Sequence, residues 1–242
     1  MKLKCIATGS SGNCYTLTAS NGETLILDAG IGIRDIKKGL NWNVKDVVGA
    51  LVTHKHLDHS KSVNSLNKMG IPVYAPYLDG KCKSMDMGSF VVRHFDLTTA
   101  EWRWTHTDAD GEPCPIYGFL ITHPEMGRIL YITDCEVVKW KFKGINHILL
   151  GVNYDKNLIG NEDSAKVNHV YRGHMSIDTA CDFVNVNNSK DLQNVIMCHL
   201  SKNNADKDLF IDKMKSTVPN ANVDVAEPGE EWLLRNPNEC PF

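Results

Sequence analysis

One short stretch constrains this chain more than any other. Leu51-Val52-Thr53-His54-Lys55-His56-Leu57-Asp58-His59-Ser60 follows directly on the apolar run 47–52 and sets three histidines and a carboxylate within six positions. A lone histidine held in a core is common. Clustered imidazoles are different, because their charged forms repel and imidazole is the commonest metal ligand. The alternating spacing aims His54 and His56 at one ion, while Asp58 and His59, one turn further round, aim at a second. The competing reading is a polar surface loop, and structural context decides between them.

At 242 residues, 42% hydrophobic and 23% charged, the chain is long enough to bury one large core, and we read 1–242 as a single domain. No apolar run approaches bilayer-spanning length, and the first residues carry no secretory apolar region, so a cytoplasmic protein without membrane partners is expected. The eight cysteines form no C-x-x-C pair, which argues against a zinc-finger framework and for reduced, partly buried thiols. A net charge of −3 argues against a protein that coats nucleic acid. It leaves a nuclease open, because bound divalent ions add local positive charge.

Along the chain, residues 3–8 read as a strand followed by the turn Gly9-Ser10-Ser11-Gly12-Asn13, suited to a tight turn or to backbone donors facing an anion. Residues 15–18 and 24–27 form a hairpin around Asn21-Gly22, and a short helix near 34–39 precedes the strand 47–52. Ser60 is placed to cap a helix carrying Val63, Leu66 and Met69. Further strands are expected at 73–75, 90–95, 116–122, 129–133, 145–152 and 195–198, with helices at 176–186 and 205–214. Strands that alternate with helices but also come in hairpin-linked runs favour a layered α/β sandwich over a simple parallel sheet. Apolar strands end in turn at Asp28, His54, Asp134, Asn153 and His199, so a shared sheet edge would gather metal-type side chains from far apart in sequence.

These residues, in this order, resemble the metallo-β-lactamase fold superfamily: an aspartate after an early strand (Asp28), H-x-H-x-D-H (His54, His56, Asp58, His59), then His106, Asp134 and His199. Within it the chain is most similar to YycJ/WalJ-type and phage-encoded members in Gly9-Ser10-Ser11-Gly12-Asn13-Cys14, Asn153-Tyr154-Asp155, Gly173-His174-Met175-Ser176 and His199-Leu200-Ser201-Lys202-Asn203-Asn204. The Gly-His-Met-Ser and His-Leu-Ser segments also resemble tRNase Z enzymes. The resemblance implies a four-layer αβ/βα sandwich with a two-metal crevice at one edge. It assigns His54, His56 and His106 to one ion, Asp58, His59 and His199 to the other, and Asp134 as the bridge. Asp28 would accept the hydrogen bonds that hold the histidine loop. His94 competes with His106 for the third histidine, and the Trp102 and Trp104 segment reads either as a lid or as a cover for the core.

The expected chemistry is metal-assisted phosphodiester hydrolysis. Two divalent ions, zinc or else manganese or iron, roughly 3.5–4 Å apart would generate hydroxide near neutral pH and neutralise the attacked phosphate. Asp58 and Asp134 would orient that hydroxide. His174 would protonate the leaving group or bind a phosphate oxygen, unless it merely packs beside the helix that Ser176 begins. Ser10, Ser11, Asn13, Ser201, Lys202 and Asn203 are candidate phosphate contacts, each with a loop or capping role as the alternative. The resemblance points to DNA and exonuclease action. Two readings compete: a hydrolase of a lactone, thioester or small phosphodiester, and a metal-binding protein without turnover.

Overall fold

A computed structural model describes residues 1–79, 84–98, 107, 112, 114–159 and 173–237. The first sheet is built from β1 (Lys2–Ala7), β2 (Cys14–Thr18), β3 (Thr24–Leu27), β4 (Val47–Leu51) and β5 (Val73–Tyr74). Interleaved are α1 (Ile33–Gly39), α2 (Leu57–Ser60), α3 (Val63–Lys68) and α4 (Pro76–Asp79). The second sheet comprises β6 (Ser84–Met87), β7 (Phe90–Asp96), β8 (Tyr117–His123), β9 (Gly127–Ile132), β10 (His147–Gly151), β11 (Asn194–Cys198) and β12 (Asn222–Val225). Two helices, α5 (Ile177–Asn187) and α6 (Lys207–Thr217), flank β11, and β13 (Glu231–Leu233) returns to pair antiparallel with β1. The strand orders are β13-β1-β2-β3-β4-β5 and β12-β11-β10-β9-β8-β7-β6.

Period-two burial explains the layers, because successive side chains of a strand face opposite sides. Ile129 and Tyr131 of β9 point into a core shared with Leu17, Leu25 and Leu51 of the other sheet. Leu130 and Ile132 of the same strand point outward, against Ile177, Ala180 and Val184 of α5 and Phe210 and Met214 of α6. On the far side Ile26 and Ala50 pack against Ile36 of α1 and Leu66 of α3. Helix, sheet, sheet, helix is the four-layer αβ/βα sandwich expected from the sequence.

Parallel pairing places the site. β3 and β4 run parallel in one sheet, and β9, β10 and β11 run parallel in the other, so five strands deliver their C-terminal ends to two common edges. Ser60 departs from the sequence reading. It closes α2 and its hydroxyl donates to the Lys55 carbonyl at 2.8 Å, while α3 starts after Ser62. The final helix also begins later than residue 205, because the Asp206 side chain accepts the Leu209 N–H at 3.1 Å and caps it there.

Candidate metal centre

The histidine loop is fixed by what lies under it. Asp28, fully buried just past β3, accepts the Thr53 N–H at 2.8 Å and the Thr53 hydroxyl at 3.1 Å through Oδ1, and its Oδ2 lies 2.6 Å from His59 Nδ1. Asn13 clamps the other side: its N–H donates to the Asp58 carbonyl at 2.7 Å and its side-chain oxygen accepts the Gly9 N–H at 2.9 Å. The loop sits so close to Gly30 that a Cβ there would lie 1.7 Å from the Asp58 carbonyl oxygen. The Gly9 to Asn13 segment thus serves as a turn that grips the histidine loop, and Asn13 faces the interior rather than a ligand.

Opposite the loop, the second sheet contributes Asp134, Asn153 and His199. Asp28, Asp134 and His199 each adopt left-handed backbone, with φ of 56°, 51° and 57°, so the chain turns sharply at the strand end, aiming Asp28 at the underside of the histidine loop and Asp134 and His199 into the crevice. His59 Nε2 lies 2.7 Å from Asp134 Oδ2, and His199 Nε2 lies 3.5 Å from Asp134 Oδ1 and 3.6 Å from Asp58 Oδ2. One ligand-type atom from each of Asp58, His59, Asp134 and His199 falls within 4.8 Å of all the others. His54 Nε2 stands 3.6 Å from Asp134 Oδ2, with the His54 ring edge-on to that of His56 at 4.9 Å. His174 Nδ1 lies 3.2 Å from Asp134 Oδ1, and its ring stacks on that of His199 at 5.4 Å.

The charges of this cluster are set by mutual compensation. Burial raises the Asp134 carboxyl, but the His199 and His59 imidazoles outweigh it and hold the group well below the usual carboxylate range. Burial likewise opposes protonation of His59, and Asp28 and Asp134 overcome it, lifting that imidazole well above its ordinary value. His199 is raised in the same manner, against its burial, chiefly by the neighbouring Asp134 and Asp58 carboxylates. The cluster therefore draws positive charge onto the floor of the crevice.

A sequence profile described as the metallo-beta-lactamase superfamily matches residues 7–123, the span that ends with β8 and holds the whole histidine loop. The chain has the metallo-β-lactamase fold, and its N-terminal part matches the sequence profile of that superfamily. Exodeoxyribonuclease YycJ of Bacillus anthracis is 26% identical over 236 aligned residues, covering 77% of this chain and 84% of that protein. Exodeoxyribonuclease WalJ of Streptococcus pneumoniae serotype 2 is 36% identical over 78 residues, or 31% of this chain and 29% of that one. The metallo-beta-lactamase fold protein YhfI from Bacillus subtilis superposes with a TM-score of 0.67 at 14% identity, covering 96% of this chain and 98% of that one. Human tRNase Z, short form, superposes with a TM-score of 0.61 at 15% identity, covering 97% and 99%.

The donor set fits the divalent metal of this superfamily. His199 Nε2 is buried and makes no hydrogen bond to any described group, although two carboxylate oxygens lie just beyond reach. A buried polar atom left so is costly unless a cation completes it. Imidazole nitrogens and carboxylate oxygens are the donors that zinc, manganese and iron accept.

Of the residues singled out in the sequence, Asp58, His59, Asp134 and His199 meet in one cluster, with His54 and His174 against Asp134 and His56 at the crevice wall. His106, Trp102 and Trp104 lie outside the described residues. Thr107 brings its carbonyl oxygen to 3.0 Å from His56 Nε2. His94 Nδ1 is 2.5 Å from the Tyr74 hydroxyl, on the β7 side of the second sheet. Ser10, Ser201, Lys202 and Asn203 line a crevice of ≈ 550 Å³ above the cluster, and the Ser201 hydroxyl also accepts the Asn203 and Asn204 N–H groups of its own turn. Sequence reasoning missed Tyr131, whose hydroxyl donates to Asp28 Oδ2 at 2.5 Å, and the use made of Asn153, whose side-chain amide donates to the His199 carbonyl at 2.9 Å. The Asn-Tyr-Asp motif signalled the latter, whereas nothing in an apolar strand signals the former.

Proposed function

We propose that this crevice is a two-metal hydrolytic centre acting on phosphodiesters, with DNA as the favoured substrate. The observation that carries the reading is the convergence of Asp58, His59, Asp134 and His199 from two sheets within 4.8 Å on the floor of an open, polar crevice. The exodeoxyribonuclease relatives support the choice of DNA. His54, His56 and His106 would hold one ion, Asp58, His59 and His199 the other, and Asp134 would serve both. When bound, such ions supply Lewis acidity: they acidify water and neutralise phosphate charge.

The chain's own residues do the rest. Asp28 accepts the Nδ1 proton of His59 and so keeps Nε2 turned toward the cluster. Asp58 and Asp134 accept hydrogen bonds from the attacking water and orient it. His174, beside Asp134 and on the crevice wall, holds the proton that the departing oxygen needs. Lys202 and Ser10 stand on the rim, where a phosphate would pass.

The test is metal analysis of natively purified protein, followed by assays on single-stranded DNA, RNA, a cyclic dinucleotide, an acyl-homoserine lactone and a thioester, with zinc and manganese supplied separately. Hydrolysis of DNA is expected. His56→Ala or Asp134→Ala should remove metal and at least about 99% of that activity while the chain stays folded. Turnover of the lactone or thioester alone would move the assignment to a small substrate, and two bound metals without any turnover would favour the non-enzymatic reading.

A further inference from the structure

The two sheets meet at the cluster through one polar circuit. His59, beyond β4 of the first sheet, is approached on both ring nitrogens: Asp134 Oδ2 stands 2.7 Å from Nε2, and Asp28 Oδ2 stands 2.6 Å from Nδ1. The Tyr131 hydroxyl donates to that same Asp28 oxygen at 2.5 Å. Tyr131 lies on β9 and Asp134 just past its end, three positions on. A single strand of the second sheet thus reaches His59 from both sides, directly through Asp134 and indirectly through Tyr131 and Asp28.

Tyr131 is fully buried in the core between the sheets, edge-on to Tyr15 with ring centroids 5.8 Å apart. Phenylalanine would fill that space without the cost of burying a hydroxyl. The hydroxyl is therefore accounted for by the bond it makes. Asp28 does not need it for pairing, since Thr53 and His59 already donate to both carboxylate oxygens.

We propose that Tyr131 is a positioning residue for the metal centre: by holding Asp28 from the second sheet, it fixes the His59 ring relative to Asp134, so that ligands from the two sheets keep one spacing. The inference rests on reading the cluster as a metal centre.

Tyr131→Phe removes one oxygen and leaves Asp28 paired, so the variant should fold. Its zinc affinity, measured by competition with a chromogenic chelator, is expected to fall roughly three- to tenfold, less than the 10–100-fold typical of a direct partner of a ligand. The low-field proton resonance of His59 Nδ1–H should shift in both metal-free and zinc-loaded protein. Phe119→Leu is the control: Phe119 pairs with Tyr131 across β8 and β9 and belongs to the same core, with no polar link to the site. It should lower stability yet leave affinity and resonance alone. Wild-type affinity and resonance in Tyr131→Phe would overturn the proposal, as would an equal loss of affinity in Phe119→Leu. If the unsubstituted chain takes up no divalent metal at all, the metal-centre reading itself fails and the role assigned to Tyr131 goes with it.

Discussion

His59 and His147 are both fully buried, yet their surroundings push them in opposite directions. His59 faces two carboxylates and is driven to hold a proton. His147 meets none: its Nδ1 is 2.9 Å from the Asn194 amide, its Nε2 is 3.0 Å from the Met126 carbonyl oxygen, and burial pulls it down to about 4. Because His147 titrates lower in the folded chain than when unfolded, its contribution is complete above its unfolded value of 6.5 and drains away as pH falls toward about 4. Between about pH 7 and about pH 4.5, metal-free protein should therefore lose roughly 2 kcal/mol more unfolding free energy than its His147→Gln variant, measured by urea denaturation. Identical slopes for the two proteins would show that His147 does not titrate as its surroundings imply.

Among the elements, the turn after β10 does the most joining. The Asn153 N–H donates to the Met175 carbonyl at 2.9 Å, its carbonyl accepts the Ser201 N–H at 2.9 Å, and its amide holds the His199 carbonyl. The loops bearing His174 and His199 are thereby tied to one residue. Asn153→Ala should weaken zinc binding about tenfold while leaving far-UV circular dichroism unchanged, and wild-type affinity in that variant would remove Asn153 from the support of the site. That such a motif mattered was legible in the sequence, and so were the central strands, whose apolar runs are buried on both faces. The edge strands β6, β12 and β13 escaped notice because Ser84–Met87, Asn222–Val225 and Glu231–Leu233 are short, partly polar and paired on one side only. Ser60 misled for a local reason: the loop makes an extra helical turn before the main helix begins.

For the whole molecule, the cluster draws its members from two sheets that pack on each other across an apolar core, so a metal bound there should stabilise the fold. Zinc at about a hundred times its Kd should raise the melting temperature of chelator-stripped protein by roughly 5–10 °C, and a scan without any shift would dissociate binding from folding. The carboxylates and imidazoles that gather in the cluster were readable because strand ends are punctuated in the sequence. Their supports were not, since Tyr131 reaches Asp28 and Gly30 admits Asp58 through contacts between distant parts of the chain. The left-handed backbone at Asp28, Asp134 and His199 has a further consequence for descent. Asparagine tolerates that conformation best among residues with a side chain, so Asp→Asn and His→Asn remove a carboxylate or an imidazole with little added strain. A lineage selected for folding alone would drift toward asparagine or glycine at these three positions, and that pattern would mark a retired enzyme among this chain's descendants.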